Sequence, residues 1–154
     1  MTRAYLGLGS NLGDREVNLG RAREELEAAG VPIRNQSPLV ETEPFGVTDQ
    51  PRFVNQIVEV TWAGLPRDLL ALVKSIETKI GRRPSFRWGP RLIDIDILLL
   101  GGEVINESDL TIPHAGLLER RFVLDPLIEL APDLTDPRNG EPLSKVLARL
   151  KSNR

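Results

Sequence analysis

The chain contains no cysteine, which excludes disulfides, thiolate metal sites and cysteine nucleophiles. Its single histidine, His114, rules out a multi-histidine zinc centre. Aromatic residues make up only 5% of it, and no apolar run approaches the ~20 residues of a membrane span. No basic-then-apolar leader opens the sequence. Met1-Thr2-Arg3 runs straight into a strand-like pattern, so cytoplasmic residence is expected. Neither sign of charge dominates: 20 Lys and Arg stand against 22 Asp and Glu, and the net charge of −2 argues against general nucleic-acid binding. With 154 residues, 40% of them hydrophobic and 27% charged, a single domain (1–154) with a real core is expected.

The positive charge that is present is concentrated. Arg82, Arg83, Arg87 and Arg91 fall within residues 82–91, interleaved with Trp88, Pro84, Gly89 and Pro90. Such a run is usually a solvated face, but arginine beside an aromatic also suits a triphosphate and its base. The run leads into Leu92-Ile93-Asp94-Ile95-Asp96-Ile97-Leu98-Leu99-Leu100, an apolar strand pattern closed by Gly101 and Gly102. Side chains alternate along a strand, so Asp94 and Asp96 share one face about 6.6 Å apart, while Ile93, Ile95 and Ile97 share the other. Leu98 and Leu100 are expected to continue the aspartate face as hydrophobes. Two carboxylates in a strand otherwise destined for the core are costly unless a cation compensates them. Magnesium takes carboxylate oxygens together with substrate phosphates, so the pair fits a metal-bridged phosphate.

Before that strand, residues 3–9 read as a first strand, with Ala4, Leu6 and Leu8 on one face. Gly7, Gly9 and Gly13 lack the spacing of a dinucleotide fingerprint and are read as giving a tight strand-to-helix turn. Asp14 and Asn11 suit a turn and helix N-cap. Leu19, Ala22, Leu26 and Ala29 then recur at helical spacing. Residues 33–41 read as a strand with Pro38 at an edge or bulge. Residues 42–52 form a loop suited to a lid. Residues 53–62 are a clear strand, whose Asn55 stands between Phe53 and Ile57 on one face. That asparagine suits either a structural hydrogen bond or the reading of a heterocycle's edge. Pro66 opens a second helix and Gly81 ends it. Lys74 and Glu77 on its flank have the spacing of a surface ion pair. Further on come a short hairpin around residues 104–112, a helical stretch over 115–120, a buried helix over 122–130 and a C-terminal helix from Leu143. The β-α-β-β-α-β order predicts an α+β fold, a ferredoxin-like core with added helices and a short hairpin in three α/β/α layers.

The run Arg87-Trp88-Gly89-Pro90-Arg91-x-x-Asp94-Ile95-Asp96-Ile97-Leu98 resembles the signature of the 6-hydroxymethyl-7,8-dihydropterin pyrophosphokinase family. Gly9-Ser10-Asn11-Leu12, the stretch from Thr42 through Pro44, Gly46 and Asp49-Gln50-Pro51 to Asn55, and Pro113-His114 with Arg120 and Phe122 resemble its other motifs in order. The resemblance implies transfer of diphosphate from ATP to the hydroxymethyl group of the reduced pterin, with release of AMP, in folate synthesis. It implies two Mg2+ ions on Asp94 and Asp96, with catalytic roles for these two, Arg82 and Arg91. Contacts to ATP would come from Lys74, Glu77, Arg83, Arg87, Arg91, the backbone at Ile97, Thr111, His114 and Arg120. Thr42, Pro44, Phe45, Phe53, Asn55, Trp88 and Phe122 would line the pterin pocket. Lys74 replaces a glutamine of the family pattern, and Phe53 a common tyrosine. Small-molecule substrates, no nucleic acid, no membrane and a monomeric chain complete the expectation. A nucleotidyltransferase releasing pyrophosphate, or a non-catalytic nucleotide-binding regulator, are the alternatives. The first would keep its Gly-Ser turn close to the Asp-x-Asp along the chain, which this sequence does not.

Overall fold

The computed structural model describes residues 1–43, 49–81 and 92–152. Strand β1 (Thr2–Ser10) lies inside the sheet, paired antiparallel with β4 (Phe53–Trp62) along its whole length and with β5 (Asp94–Leu100) on its other side. β2 (Ile33–Gln36) and β3 (Val40–Thr42) share the far edge of β4, giving the order β2-β4-β1-β5 with β3 beside β4. The single strand expected over 33–41 is therefore two. The break falls at Ser37-Pro38, where Ser37 turns inward, donates its N–H to Ile57 O (2.8 Å) and accepts the Ile57 N–H on its Oγ (2.9 Å). Pro38 has no N–H with which to continue the ladder.

One face of the sheet carries Ala4, Leu6, Leu8, Val58, Val60, Ile95 and Ile97. It packs on helices α1 (Arg15–Ala28) and α2 (Pro66–Ile80), which contribute Leu19, Leu26, Leu69, Val73 and Ile76. Asp14 caps α1 by accepting the Val17 N–H at 3.2 Å, and Gly81 ends α2 at φ 109°, a conformation that suits glycine. The opposite face carries Tyr5, Ile57, Leu98 and Leu99, covered by α3 (Arg121–Leu130) and α4 (Leu143–Ser152). The expected helix over 115–120 is instead a series of turns. Leu117 donates to His114 O and Glu119 to Gly116 O, and regular helix begins only at Arg121. A hairpin of β6 (Ile105–Asn106) and β7 (Thr111–Ile112) completes the described elements.

β5 departs from simple alternation. Tyr5 faces Leu99 while the next residue, Leu6, faces Ile97, so Leu98 is an extra residue in a β-bulge. Leu98 and Leu99 consequently both join the layer under α3 and α4, and Leu100 returns to the layer under α1 and α2. The expectation that Leu98 and Leu100 share a face fails for this reason, while the placement of Ile93, Ile95 and Ile97 opposite the aspartates holds.

Candidate active site

Beyond Ile97, towards its N-terminal end, β5 turns from leucines to carboxylates, and there the sheet face is left open. A cavity of about 290 Å³ stands over it, floored by Gly7, Gly9, Leu98, Asp94 and Asp96 and walled by Thr42, Phe53, Asn55, His114, Arg120 and Phe122. Gly7 and Gly9 are strand residues here, not turn residues, and their missing side chains make the room. A Cβ on Gly9 would press to 3.0 Å from Asn55 Oδ1 and stand 3.5 Å from the Phe53 ring. The turn itself falls to Gly13, at φ 70°. Asn55 donates its amide to Thr42 Oγ1 at 2.5 Å, which fixes the side chain across the β3–β4 pair.

A second cavity of about 300 Å³ adjoins the first and shares Asp96 and His114 with it. Its walls are Leu70 and Lys74 from α2, Ile95 and Ile97 on β5, and Ser108, Asp109, Leu110 and Thr111 around the hairpin. Asp96 thus sits where two differently lined cavities meet, with Asp94 beside it in the first.

The electrostatics of that junction are unusual. Burial, then the Asp94 charge, then Glu77 push the Asp96 carboxyl up to about 7, against smaller opposing contributions from Lys74 and Arg120. His114 moves the other way: burial and the Arg120 charge hold its pKa below the ordinary histidine value, so the ring is neutral at pH 7. Its Nδ1 accepts the Gly116 N–H at 3.0 Å, which assigns the proton to Nε2, 3.7 Å from Asp96 Oδ1. The backbone is tied down as well, since the His114 N–H donates to Leu98 O at 3.0 Å.

Glu77 corrects a sequence reading. It is no surface partner of Lys74. Its side chain is 1% exposed, and Oε2 accepts the Ile95 N–H at 2.8 Å, with Lys74 Nζ 3.3 Å from Oε1. The carboxylate occupies the outer edge of β5 between the two aspartates and aligns the strand that carries them. Replacing it with alanine strands a buried N–H, which costs about 1–3 kcal/mol, whereas glutamine keeps an acceptor in place. Urea unfolding is expected to place Glu77→Ala about 2 kcal/mol below the parent and Glu77→Gln within about 1 kcal/mol of it.

Asn11 is a second residue whose position the sequence understated. It is 1% exposed, and its amide donates to Gln50 Oε1 (2.9 Å) and Pro51 O (3.0 Å), binding the 49–51 segment to the end of β1. Asn18 holds the same corner from below through Ser10 Oγ and Leu12 O. Of the site residues expected from sequence, Lys74, Glu77, Asp94, Asp96, Ile97, Thr111, His114, Arg120, Thr42, Phe53, Asn55 and Phe122 converge at or beside these two cavities. Pro44, Phe45, Arg82, Arg83, Arg87, Trp88 and Arg91 lie outside the described residues.

Comparison with known proteins bears on what this arrangement does. The family model described as 7,8-dihydro-6-hydroxymethylpterin-pyrophosphokinase (HPPK) matches residues 5–132. The 2-amino-4-hydroxy-6-hydroxymethyldihydropteridine pyrophosphokinase of Methylorubrum extorquens is 45% identical over 97% of this chain and 94% of its own. The protein of the same name from Aquifex aeolicus is 40% identical over 94% of this chain and 90% of its own. Among solved structures, wild-type Plasmodium falciparum HPPK-DHPS with pteroate superposes with a TM-score of 0.77 at 18% identity, over 98% of this chain and 42% of that one, a likeness of fold. A family match along most of the chain, with relatives of this identity along nearly all of it, means that the chain belongs to the 7,8-dihydro-6-hydroxymethylpterin-pyrophosphokinase family.

Proposed function

We propose that this chain transfers the diphosphate of ATP to the hydroxymethyl group of 6-hydroxymethyl-7,8-dihydropterin, releasing AMP, in folate synthesis. The observation that carries the reading is the position of Asp96 at the junction of an aromatic- and asparagine-lined cavity with a lysine- and histidine-lined one, with Asp94 on the same strand face beside it in the first. The first suits a flat heterocycle, with Phe122 and Phe53 at its faces and Asn55 at its edge. The second suits a nucleotide, with Lys74, Thr111, His114 and the Ile97 backbone as its polar lining and Arg120 beside it in the wall of the first.

The donor set fits divalent cations. Two carboxylates on one strand face supply hard oxygen ligands, and the elevation of Asp96 by burial and by Asp94 marks repulsion that the neighbouring cations leave uncompensated. Asp94 and Asp96 would hold two Mg2+ ions, which when bound supply charge neutralisation on the diphosphate and orientation of the attacking hydroxyl. Phosphoryl transfer asks little covalent work of a protein, and the chain's own contribution is alignment and charge. Neutral His114 offers Nε2–H to a phosphate oxygen without burying another full charge. Arg120 supplies positive charge at the mouth of the same wall, and the arginines of 82–91 are assigned to the phosphates. Phe53, Phe122 and Asn55 set the pterin so that its hydroxymethyl group points at the aspartates.

The rest of the reading is a single ferredoxin-like domain in three α/β/α layers, monomeric, cytoplasmic and acting on small molecules without nucleic acid or membrane. The fold part of it is supported by the β5-β1-β4-β2 order. No described helix is long and apolar enough to cross a membrane. The regiochemistry is tested by phosphorus NMR of a turnover mixture with ATP, magnesium and the reduced pterin. AMP and a pterin diphosphate are expected. Free pyrophosphate formed with turnover would favour the nucleotidyltransferase, ADP would mark a simple kinase, and ligand binding without turnover a regulator.

A further inference from the structure

The wall of the second cavity made by Ser108, Asp109, Leu110 and Thr111 belongs to the hairpin, whose two strands have two residues each. A ribbon that short does not hold its shape alone in water. Leu110 and Ile112 are buried in the core beneath it, and the outer side of its turn is tied to the body of the protein by Arg67, in the first turn of α2. One guanidinium nitrogen, Nη1, donates to Asp109 Oδ2 at 3.0 Å; the other, Nη2, donates to Asp109 Oδ1 at 2.9 Å and to Glu107 Oε1. The Asp109 contact is bidentate, the geometry in which an arginine–carboxylate pair is most directional. Arg67, Leu70 and Lys74 recur at spacings of three and four, so they form one stripe of α2, and its last two members line the cavity that the turn closes.

We infer that Arg67 is a positioning residue for the nucleotide, locking the 107–110 turn against α2 so that the second cavity is formed before its ligand arrives. The inference rests on reading that cavity as the nucleotide site. An exposed ion pair contributes little to global stability, but a wall that is already ordered spares the ligand the cost of ordering it. The signature is therefore confined to one substrate. Loss of the clamp should weaken nucleotide binding without altering the chemical step or the pterin cavity, whose lining includes none of these residues.

The test is calorimetric titration of a non-hydrolysable ATP analogue with magnesium into the parent, Arg67→Ala, Asp109→Ala, and the charge-swapped pair Arg67→Glu with Asp109→Arg, made together with Glu107→Gln so that Glu107 does not repel the new carboxylate. Steady-state rates are measured alongside. Analogue affinity is expected to fall about three- to tenfold in each single variant and to recover in the swapped pair. For Arg67→Ala, whose side chain lines neither cavity, the KM for the pterin and kcat should stay within about twofold of the parent. Parent-like analogue affinity in both single variants would overturn the clamp, as would an equal fall in kcat and in affinity for both substrates. Thr111→Tyr, which fills the cavity, separates this failure from failure of the site reading. If it abolishes nucleotide binding while the Arg67 variants do not, only the clamp is wrong; if it leaves binding intact, the site assignment is wrong with it.

Discussion

Asp94→Asn and Asp96→Asn are each expected to lose at least about 100-fold in turnover while remaining folded. Residues that merely orient a metal ligand cost about 10–100-fold when changed, and a ligand itself costs more. The same variants should be no less stable than the parent in the absence of magnesium, and the reason is visible in the charge distribution. Asp96 is held up to about 7 by burial and by Asp94, so the folded chain binds a proton there that the unfolded chain releases near pH 4. The unfolded state therefore binds fewer protons between those values, and stability of the metal-free protein declines as pH rises from about 4 to about 7. Asp96→Asn removes the charge that causes the decline. Since the Asp96 side chain is 37% exposed, solvent screening reduces the effect, and a gain of about 2–5 °C in Tm at pH 8 is expected. Magnesium with ATP should raise the parent's Tm and leave both variants nearly unmoved. Near-parental rates in either variant would remove the two carboxylates from the reaction.

Asn55→Leu should separate the two substrates. The asparagine lines only the first cavity, and its amide already donates to Thr42, so its orientation is set before a ligand binds. An amide offers one acceptor and two donors, which match the mixed edge of an aminopyrimidinone. Leucine has nearly the same volume and neither capacity. The ligand's polar edge then goes unpaired at about 1–3 kcal/mol per group, so pterin affinity should fall about ten- to a hundredfold or more. Nucleotide affinity should hold, because the second cavity contains no part of β4. Titration of each ligand into the variant decides the matter, and equal weakening of both would mean that Asn55 serves only to fasten β3 to β4.

The aspartate pair and Asn55 were legible from sequence because both signals are local. Spacing two puts two carboxylates on one strand face whatever else the chain does, and an asparagine between Phe53 and Ile57 is conspicuous on its own strand. The burial of Glu77 was not legible from its spacing. At three residues from Lys74 it has the spacing of a surface pair, and only the arrival of β5 alongside α2 buries it and gives it the Ile95 N–H. Asn11 likewise looks like an ordinary turn residue until Gln50 and Pro51 come to rest on it. Gly7 and Gly9 suggested a turn because glycine before a helix usually makes one; their use as empty wall depends on what stands across from them on β4. Arg67 gave no signal, since its partners are about forty residues away. Leu100 was misplaced because period-two alternation has no way to announce a bulge.

That bulge carries a consequence for how the family's sequences can drift. In a regular strand, loss of one residue inverts every side chain beyond it, and here it would exchange carboxylates for core hydrophobes. With Leu98 as slack, a one-residue deletion between Asp96 and Leu99 is absorbed: Asp94 and Asp96 keep their face, Leu99 and Leu100 keep theirs, and the loss is one leucine beneath the cavity. The strand is thereby divided into two independently editable halves. Selection can tune the reacting end and the packing end on separate schedules, and alignments across this point should tolerate a gap that would be lethal two residues earlier.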